Sequence, residues 1–328
     1  MYVIFFFLIF IISFLLTAIV KFIAEKKSLL DIPNERSSHQ NPTVRGGGIA
    51  IAITWFNGIS YLFYFEKIDA NLYYALISGI LISIIGFIDD VYNVKFYFRL
   101  TIQSVAAIIA LYFLAGLSKI DFGFYIIENK FLLTVLAFVG TIWFINLYNF
   151  IDGIDGYAAS EAIFVSLALW FFTDNIILLL LSVSVFGFLP WNWQKAKIFM
   201  GDTGSTLLGF TLAVLAIYFQ NKNEFSILNS LVLTSLFWFD ATYTLIKRLL
   251  NKEQITEAHK KHIYQRIVLC GFSHQKTVLY SICINFILFF LIFSTCENNS
   301  YTFAVFAVCL ILLFLITYLV NKKYFIKK

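Results

Sequence analysis

The chain has 328 residues, of which 60% are hydrophobic, 19% aromatic and only 13% charged, with a mean hydropathy of +0.84. Soluble domains carry about one quarter charged residues, so this composition excludes an ordinary water-soluble globule and points to a membrane protein. The formal net charge of +5 is scattered among loops instead of forming one basic face, which argues against a nucleic-acid partner.

Apolar runs of about twenty residues, long enough to cross a bilayer as helices, recur from one end to the other. In chain order they predict helices over 3–22, 47–65, 72–88, 100–116, 131–149, 159–173, 176–190, 205–219, 226–246, 276–294 and 301–320. The fold class is therefore all-α, a polytopic transmembrane bundle of about eleven helices (10–11) in a single integral-membrane domain, 1–328. The first run, Val3 to Phe22, lacks a basic start and is too long for an h-region, so it reads as a retained helix and not a signal peptide. Cys270, Cys283, Cys296 and Cys309 contain no C-x-x-C pair, which speaks against a thiolate metal site or a disulfide framework.

The loops after odd-numbered helices contain 20 of the 24 Lys and Arg, whereas the other side has only Lys67, Lys119, Lys130 and Lys222. By the positive-inside rule the N-terminus is periplasmic, the C-terminus cytoplasmic, and the loops 31–46, 89–99, 150–158, 191–204 and 247–275 are cytoplasmic. Those five loops hold nearly every polar cluster in the sequence, so the chemistry is expected at that face.

The first loop ends in Arg45-Gly46-Gly47-Gly48 just before a helix. Consecutive glycines let backbone N–H groups approach an anion, and the arginine and helix dipole favour negative charge; a flexible connector is the plainer reading. Loop two opens on Asp89-Asp90 directly after an apolar run. Adjacent carboxylates at a membrane boundary call for a cation or a proton, and hard oxygen ligands of this kind suit magnesium.

Loop three, Asn146 to Gly156, contains no Lys or Arg, and its Asn149, Asp152 and Asp155 recur every three residues, which would gather them near one helical face. Loop four ends in F-M-G-D-T-G-S, where Asp202 can supply a metal oxygen and Gly204, Ser205 and Thr206 expose donors at a helix start. A plain N-cap is the alternative there. Phe199 could stack on a base or pack on lipid. In loop five, His259 and His262 alternate with cations and lead to Arg266, which fits a diphosphate grip better than a zinc site; a basic helix resting on anionic lipid is the competing reading. Asp240, inside the preceding apolar run, is a functional candidate by its position alone, or a partner for Lys247.

The motif set D-I-P-N-E-R-S-S-H with R-G-G-G, G-F-I-D-D, N-F-I-D-G-I-D-G, F-M-G-D-T-G-S and H-K-K-H-I-Y-Q-R, in this order over roughly residues 31 to 266, resembles the polyprenyl-phosphate N-acetylhexosamine-1-phosphate transferases. These form the MraY- and WecA-like superfamily, glycosyltransferase family 4. The H-x-x-H-x-Y-Q-R ending is more similar to the WbpL-type branch that initiates O-antigen synthesis than to the peptidoglycan branch. The resemblance implies a bacterial inner-membrane, multi-pass enzyme with its site on the cytoplasmic face. Its reaction would join UDP-HexNAc and undecaprenyl phosphate to give undecaprenyl-diphospho-HexNAc and UMP, with Mg2+, or Mn2+ as the alternative.

Carried over by residue, Asp202 matches the metal ligand, and Asp89 and Asp90 the pair that handles metal or phosphate and general-base work. Asn149, Asp152 and Asp155 match the nucleotide-side acidic motif, Phe199 the aromatic on uracil, and His259 and His262 loosely the histidine motif. Arg45, Gly46, Gly47, Gly204 and Arg266 complete the implied substrate-binding set. The implied partners are the two substrates and the lipid bilayer, with a homodimer among the candidates and no nucleic acid. A secondary transporter would place its polar groups near the midplane and repeat its halves, and neither pattern is visible. The CDP-alcohol phosphatidyltransferases require a D-G-x-x-A-R core, whereas Asp152-Gly153 here leads to Ile154-Asp155-Gly156-Tyr157.

Overall fold

The computed structural model describes residues 2–33, 42–254, 259–295 and 299–327. Residues 34–41 of the first-loop motif, the part of loop five at 255–258, and Cys296 lie outside the described residues. Fourteen α-helices account for nearly all of the regular structure there: α1 Tyr2–Lys26, α2 Gly48–Tyr64, α3 Ala70–Ile77, α4 Gly79–Tyr92, α5 Phe96–Phe113, α6 Lys130–Ile151, α7 Tyr157–Thr173, α8 Ile176–Asn192, α9 Asp202–Lys222, α10 Ile227–Leu233, α11 Ser235–Leu250, α12 Ile263–Leu269, α13 His274–Phe293 and α14 Thr302–Lys327. Among the described residues seven spans are long and apolar enough to cross a membrane, and α2, α7 and α8 are shorter apolar helices. The protein is an all-α, multi-pass membrane protein.

Its layering inverts that of a soluble bundle. The outer helices α1 and α14 are intensely apolar yet mostly uncovered by protein, presenting Ile4, Phe7, Leu8 and Leu15, and Ile311, Phe314 and Leu315, to the surroundings. Central α9 is the least apolar of the seven spans and almost entirely buried, against α6, α4 and α2. In lipid, tails are as apolar as leucine, so small and weakly polar residues mark the packed interior instead of the exterior. Thus Thr203, Ser205, Thr206 and Thr211 of α9 are buried, while rows of exposed phenylalanine face outward.

Two predicted helices are each broken in two. The run 72–88 is α3 and α4, which meet at Ser78, whose hydroxyl donates to the carbonyls of Ala75 and, across the bundle, Ala106. The run 226–246 is α10 and α11, which meet at Thr234; there the Trp238 indole donates to the Leu231 carbonyl at 2.7 Å. A freed carbonyl at membrane depth needs a donor from the protein itself, and Trp238 supplies it. Short ladders pair β1 (Leu30–Asp31) with β2 (Thr43–Val44) and β3 (Ile120–Asp121) with β4 (Ile126–Ile127); apolar periodicity gives no signal for either. Helix α12 lies in loop five, where a basic helix is the competing reading, but its seven residues begin only after His262.

Candidate functional site

All five polar loops meet at one end of the bundle. Loops one and four are joined by backbone: Phe199 N–H donates to the Val44 carbonyl, and Gly47 and Gly48 N–H donate to the Phe199 and Met200 carbonyls at 2.9 and 2.8 Å. This corrects the expectation of a glycine anion cradle, since the Gly47 and Gly48 amides are already committed. Gly48 instead allows α2 to touch α9. A Cβ added there would lie 2.2 Å from the Gly204 nitrogen, and one added at Gly204 would lie 2.7 Å from the Gly48 Cα. Gly204 is accordingly a packing residue, and its amide donates to Gly201. Gly46, at φ +106°, turns the chain into this contact.

The carboxylates of loops two and four share one arginine. Arg99, at the start of α5, donates through Nη1 to Asp89 Oδ2 at 2.6 Å and to Asp202 Oδ2 at 2.9 Å. Asn149 at the end of α6 donates through Nδ2 to the same Asp202 oxygen at 3.2 Å and accepts the Ser205 hydroxyl at 2.7 Å. The adjacent Asp90 does something different. Its oxygens accept Asp202 N–H at 2.8 Å, Thr203 N–H at 3.1 Å and the Thr203 hydroxyl at 2.8 Å, so it caps the N-terminus of α9. Gly201, at φ +74°, makes the necessary room, because a Cβ there would sit 2.6 Å from both Asp90 oxygens. One Asp of the pair thus holds α9, while the other faces the shared cation.

Asp152 lies beside this group. Burial, then the nearby charges of Asp202 and Asp90, push its carboxyl well above the usual carboxylate range. Asp155 is turned away. Its Oδ2 accepts Lys195 N–H and Ala196 N–H of loop four and lies 3.3 Å from His274 Nδ1. The three-residue spacing of Asn149, Asp152 and Asp155 therefore does not bring all three to one place, because α6 ends at Ile151. Arg45 binds Asp31 at 2.6 Å; burial opposes its charge, but Asp31 together with Asp90 and Asp202 holds its guanidinium above the ordinary arginine value.

In loop five His259 and His262 do not share a helix, because α12 starts only after His262. Asp240 organises this region. It accepts Ile263 N–H at 2.7 Å and Tyr264 N–H at 3.2 Å, and lies 3.5 Å from His262 Nδ1, so it caps α12 and is not paired with Lys247. Tyr264 then reaches loop three, donating to the Phe150 carbonyl at 2.8 Å. His262 is buried between Phe150 and Tyr264. His259 is half-buried, and burial with the neighbouring His262 and Arg248 lowers it to about 4, so it is neutral near pH 7. Arg266 points the other way, to Asn321 of α14.

Arg99, His274 and the capping role of Asp90 escaped sequence reasoning. Arg99 had one available signal: it is the basic residue at the head of the helix that follows Asp89-Asp90.

A family model described as Glycosyl transferase family 4 matches residues 72–220, the stretch from α3 to α9 that contains Asp89, Asp90, Arg99, Asn149, Asp152 and Asp202. The probable undecaprenyl-phosphate N-acetylglucosaminyl 1-phosphate transferase of Bacillus subtilis (strain 168) is 30% identical over 330 residues, spanning 94% of this chain and 90% of its own length. The chain belongs to glycosyl transferase family 4. A second relative, the undecaprenyl-phosphate alpha-N-acetylglucosaminyl 1-phosphate transferase of Thermotoga maritima, is 28% identical, with 93% of this chain and 94% of its own covered. The phospho-N-acetylmuramoyl-pentapeptide-transferase of Thermotoga petrophila is 34% identical, but over only 55% of this chain and 61% of its own.

Among the described residues no cluster of three or more His, Cys, Asp or Glu side chains forms a ready metal cage. The donor set nevertheless fits magnesium. That ion commonly takes one or two carboxylates and completes its shell with water and substrate phosphate, and Asp89 Oδ2 and Asp202 Oδ2 already converge on one positive group. Asp90 does not fit the same role, since its oxygens are held by α9.

Proposed function

We propose that the protein transfers N-acetylhexosamine 1-phosphate from a UDP-sugar to undecaprenyl phosphate, releasing UMP, on the cytoplasmic face of the bacterial inner membrane. The observation that carries this reading is the convergence of Asp89 and Asp202, brought from separate loops onto one cation position within a surplus of carboxylates. In the proposed reaction an oxygen of the acceptor phosphate forms a bond to the β-phosphorus of the donor. The bond from that phosphorus to the bridging oxygen breaks, and UMP leaves with the bridging oxygen and its electron pair. Magnesium held by Asp89 and Asp202 would neutralise diphosphate charge and polarise the phosphoryl oxygens.

The residues of the chain supply the rest. Arg99, fixed between two carboxylates, has further guanidinium N–H groups to offer a phosphate oxygen. Asp90 positions Asp202 by holding the end of α9. Asp89 is the better-placed base of the pair, although a phosphate monoester with a second pKa of about 6 is already largely ionised near neutral pH. Asn149 orients Asp202, and Phe199 is the candidate platform for uracil. Positioning and charge management suffice for phosphoryl transfer without a covalent enzyme intermediate.

The test is purified full-length protein in detergent with undecaprenyl phosphate and a panel of UDP-sugars, assayed for UMP. Release with UDP-N-acetylhexosamines, rejection of UDP-MurNAc-pentapeptide, and intersecting double-reciprocal plots are expected. Efficient use of the peptide donor would overturn the donor class, and parallel plots the direct transfer.

A further inference from the structure

A second charged region lies on the far side of α12. A cavity of about 220 Å3 is lined by Lys247 and Arg248 at the end of α11, Glu253, Lys260 and Lys261 of loop five, Arg266 of α12 and Tyr324 of α14. Five cations face one described carboxylate. Glu253 bonds Arg248 and Lys261, at 3.1 and 2.6 Å. Lys247, Lys260 and Arg266 have no carboxylate partner among the described residues. Lys247 feels Arg266 and Lys261 as like charges. Arg266 is 6% exposed and is bonded to a neutral amide, Asn321. A buried guanidinium among lysines is unfavourable unless an anion joins it.

The cavity is separate from the carboxylate site. Tyr264 and Arg266 are two residues apart on α12, about 200° around the helix. The first reaches loop three and the second reaches α14, so α12 stands between the two regions. The two helices that wall the cavity expose apolar residues: Ile246, Leu249 and Leu250 on α11, and Leu315, Tyr318 and Leu319 on α14. A phosphate seated among the cations would have apolar surface beside it for chains to follow.

We infer that this cavity binds the phosphate headgroup of an anionic membrane lipid, at a site distinct from the one that performs transfer. The inference does not depend on the transferase reading. Its test is native mass spectrometry of the purified full-length chain in detergent, titrated with phosphatidylglycerol, with phosphatidylcholine of the same acyl chains, and with inorganic phosphate. Phosphatidylglycerol is expected to bind preferentially. Lys247→Gln is expected to weaken that binding about fivefold, as removal of one basic residue near a lipid surface does, and Lys119→Gln at the opposite end to leave it unchanged. Equal retention of phosphatidylcholine, or no effect of Lys247→Gln, would overturn the site. Displacement of the lipid by inorganic phosphate at matched concentration would make it a site for soluble anions, and displacement by UDP-N-acetylglucosamine would merge it with the transfer site; either result overturns the proposal.

Discussion

The two ends of the bundle use the same residue types to different ends. At the end opposite the five loops, the polar groups that bond one another close helices and turns. Asp69 caps α3 through Asn71 N–H at 2.8 Å and binds Lys222 at 3.1 Å. Asn221 donates to the Leu114 and Gly116 carbonyls at 3.0 and 2.7 Å and accepts Ser118 N–H, and Gln220 accepts Ile227 N–H. Every one of these groups finishes a helix or a turn. At the loop end Asp89 and Asp202 share Arg99, Asp90 and Asp152 lie beside them, and Arg45 is already bound to Asp31. Of the first four aspartates, Asp90 caps a helix and Asp89 closes the turn after α4 through Val94 N–H at 2.6 Å, while its other oxygen stays on Arg99. Carboxylates in excess of cations at a partly buried position raise the free energy of the fold, and those left over after capping are the ones the proposed cation and phosphate binding would use.

The largest effect that would test this contrast is expected at Asp202. Asp202→Ala should lower turnover about a thousandfold or more, on the order of the several kcal/mol that a metal contributes to phosphoryl transfer, with little change in expression. Undiminished turnover in excess EDTA would remove the metal from the account.

The next effect separates the neighbours. Asp89→Asn should lose turnover with an unchanged melting temperature. Asp90→Asn should also lower the melting temperature, because the α9 cap, typically about 1 kcal/mol, is weakened. Raising the pH should restore Asp89→Asn only if proton removal was its missing contribution. Identical melting curves for the two variants would erase the division of labour drawn above.

At the opposite end, Asp69→Ala should leave turnover within about twofold and cost about 1 kcal/mol or less, since its ion pair is partly exposed and its cap modest. A large loss of activity there would mean that the ends are coupled.

The smallest effect is a matter of pH. His259 has an ordinary value of 6.5 and is lowered to about 4 in the folded chain. The unfolded chain therefore takes up a proton that the native chain refuses between these values. The contribution of His259 to stability is present above pH 6.5 and declines as the pH falls towards 4. His259→Gln should flatten part of the acid-side drop in melting temperature, by about 2 °C, and should remove no limb near pH 6.5 from the rate profile. A rate limb near 6.5 that vanishes in this variant would show that His259 titrates normally.

Much of this was legible in the sequence. Apolar length gave the all-α, multi-pass character, with seven of the described spans long and apolar enough to cross, and the loops that gather the acids were evident because so few polar residues compete with them. What was not legible depends on residues remote in sequence. Asp89 and Asp90 are neighbours of one type, and only the arrival of the α9 N-terminus, 112 positions on, gives one of them its cap. Arg99 and Asp202 meet across 103 positions. Gly47 and Gly48 looked like an anion cradle because a glycine's use for close backbone approach does not reveal whether a ligand or another loop approaches. The breaks at Ser78 and Thr234 were hidden because apolar residues continue on both sides of each.

The interior position of α9 bears on how the protein is made. A helix enters the bilayer readily when its own side chains favour lipid, as those of α1 and α14 do. Helix α9 is the least suited of the seven spans to do so alone, and it is synthesised after α2, α4 and α6, the helices that surround it. Its stable residence in the membrane is thus conditional on their prior arrival. A nascent chain that lacked them would lose the segment carrying Asp202 from the bilayer before any question of catalysis arose.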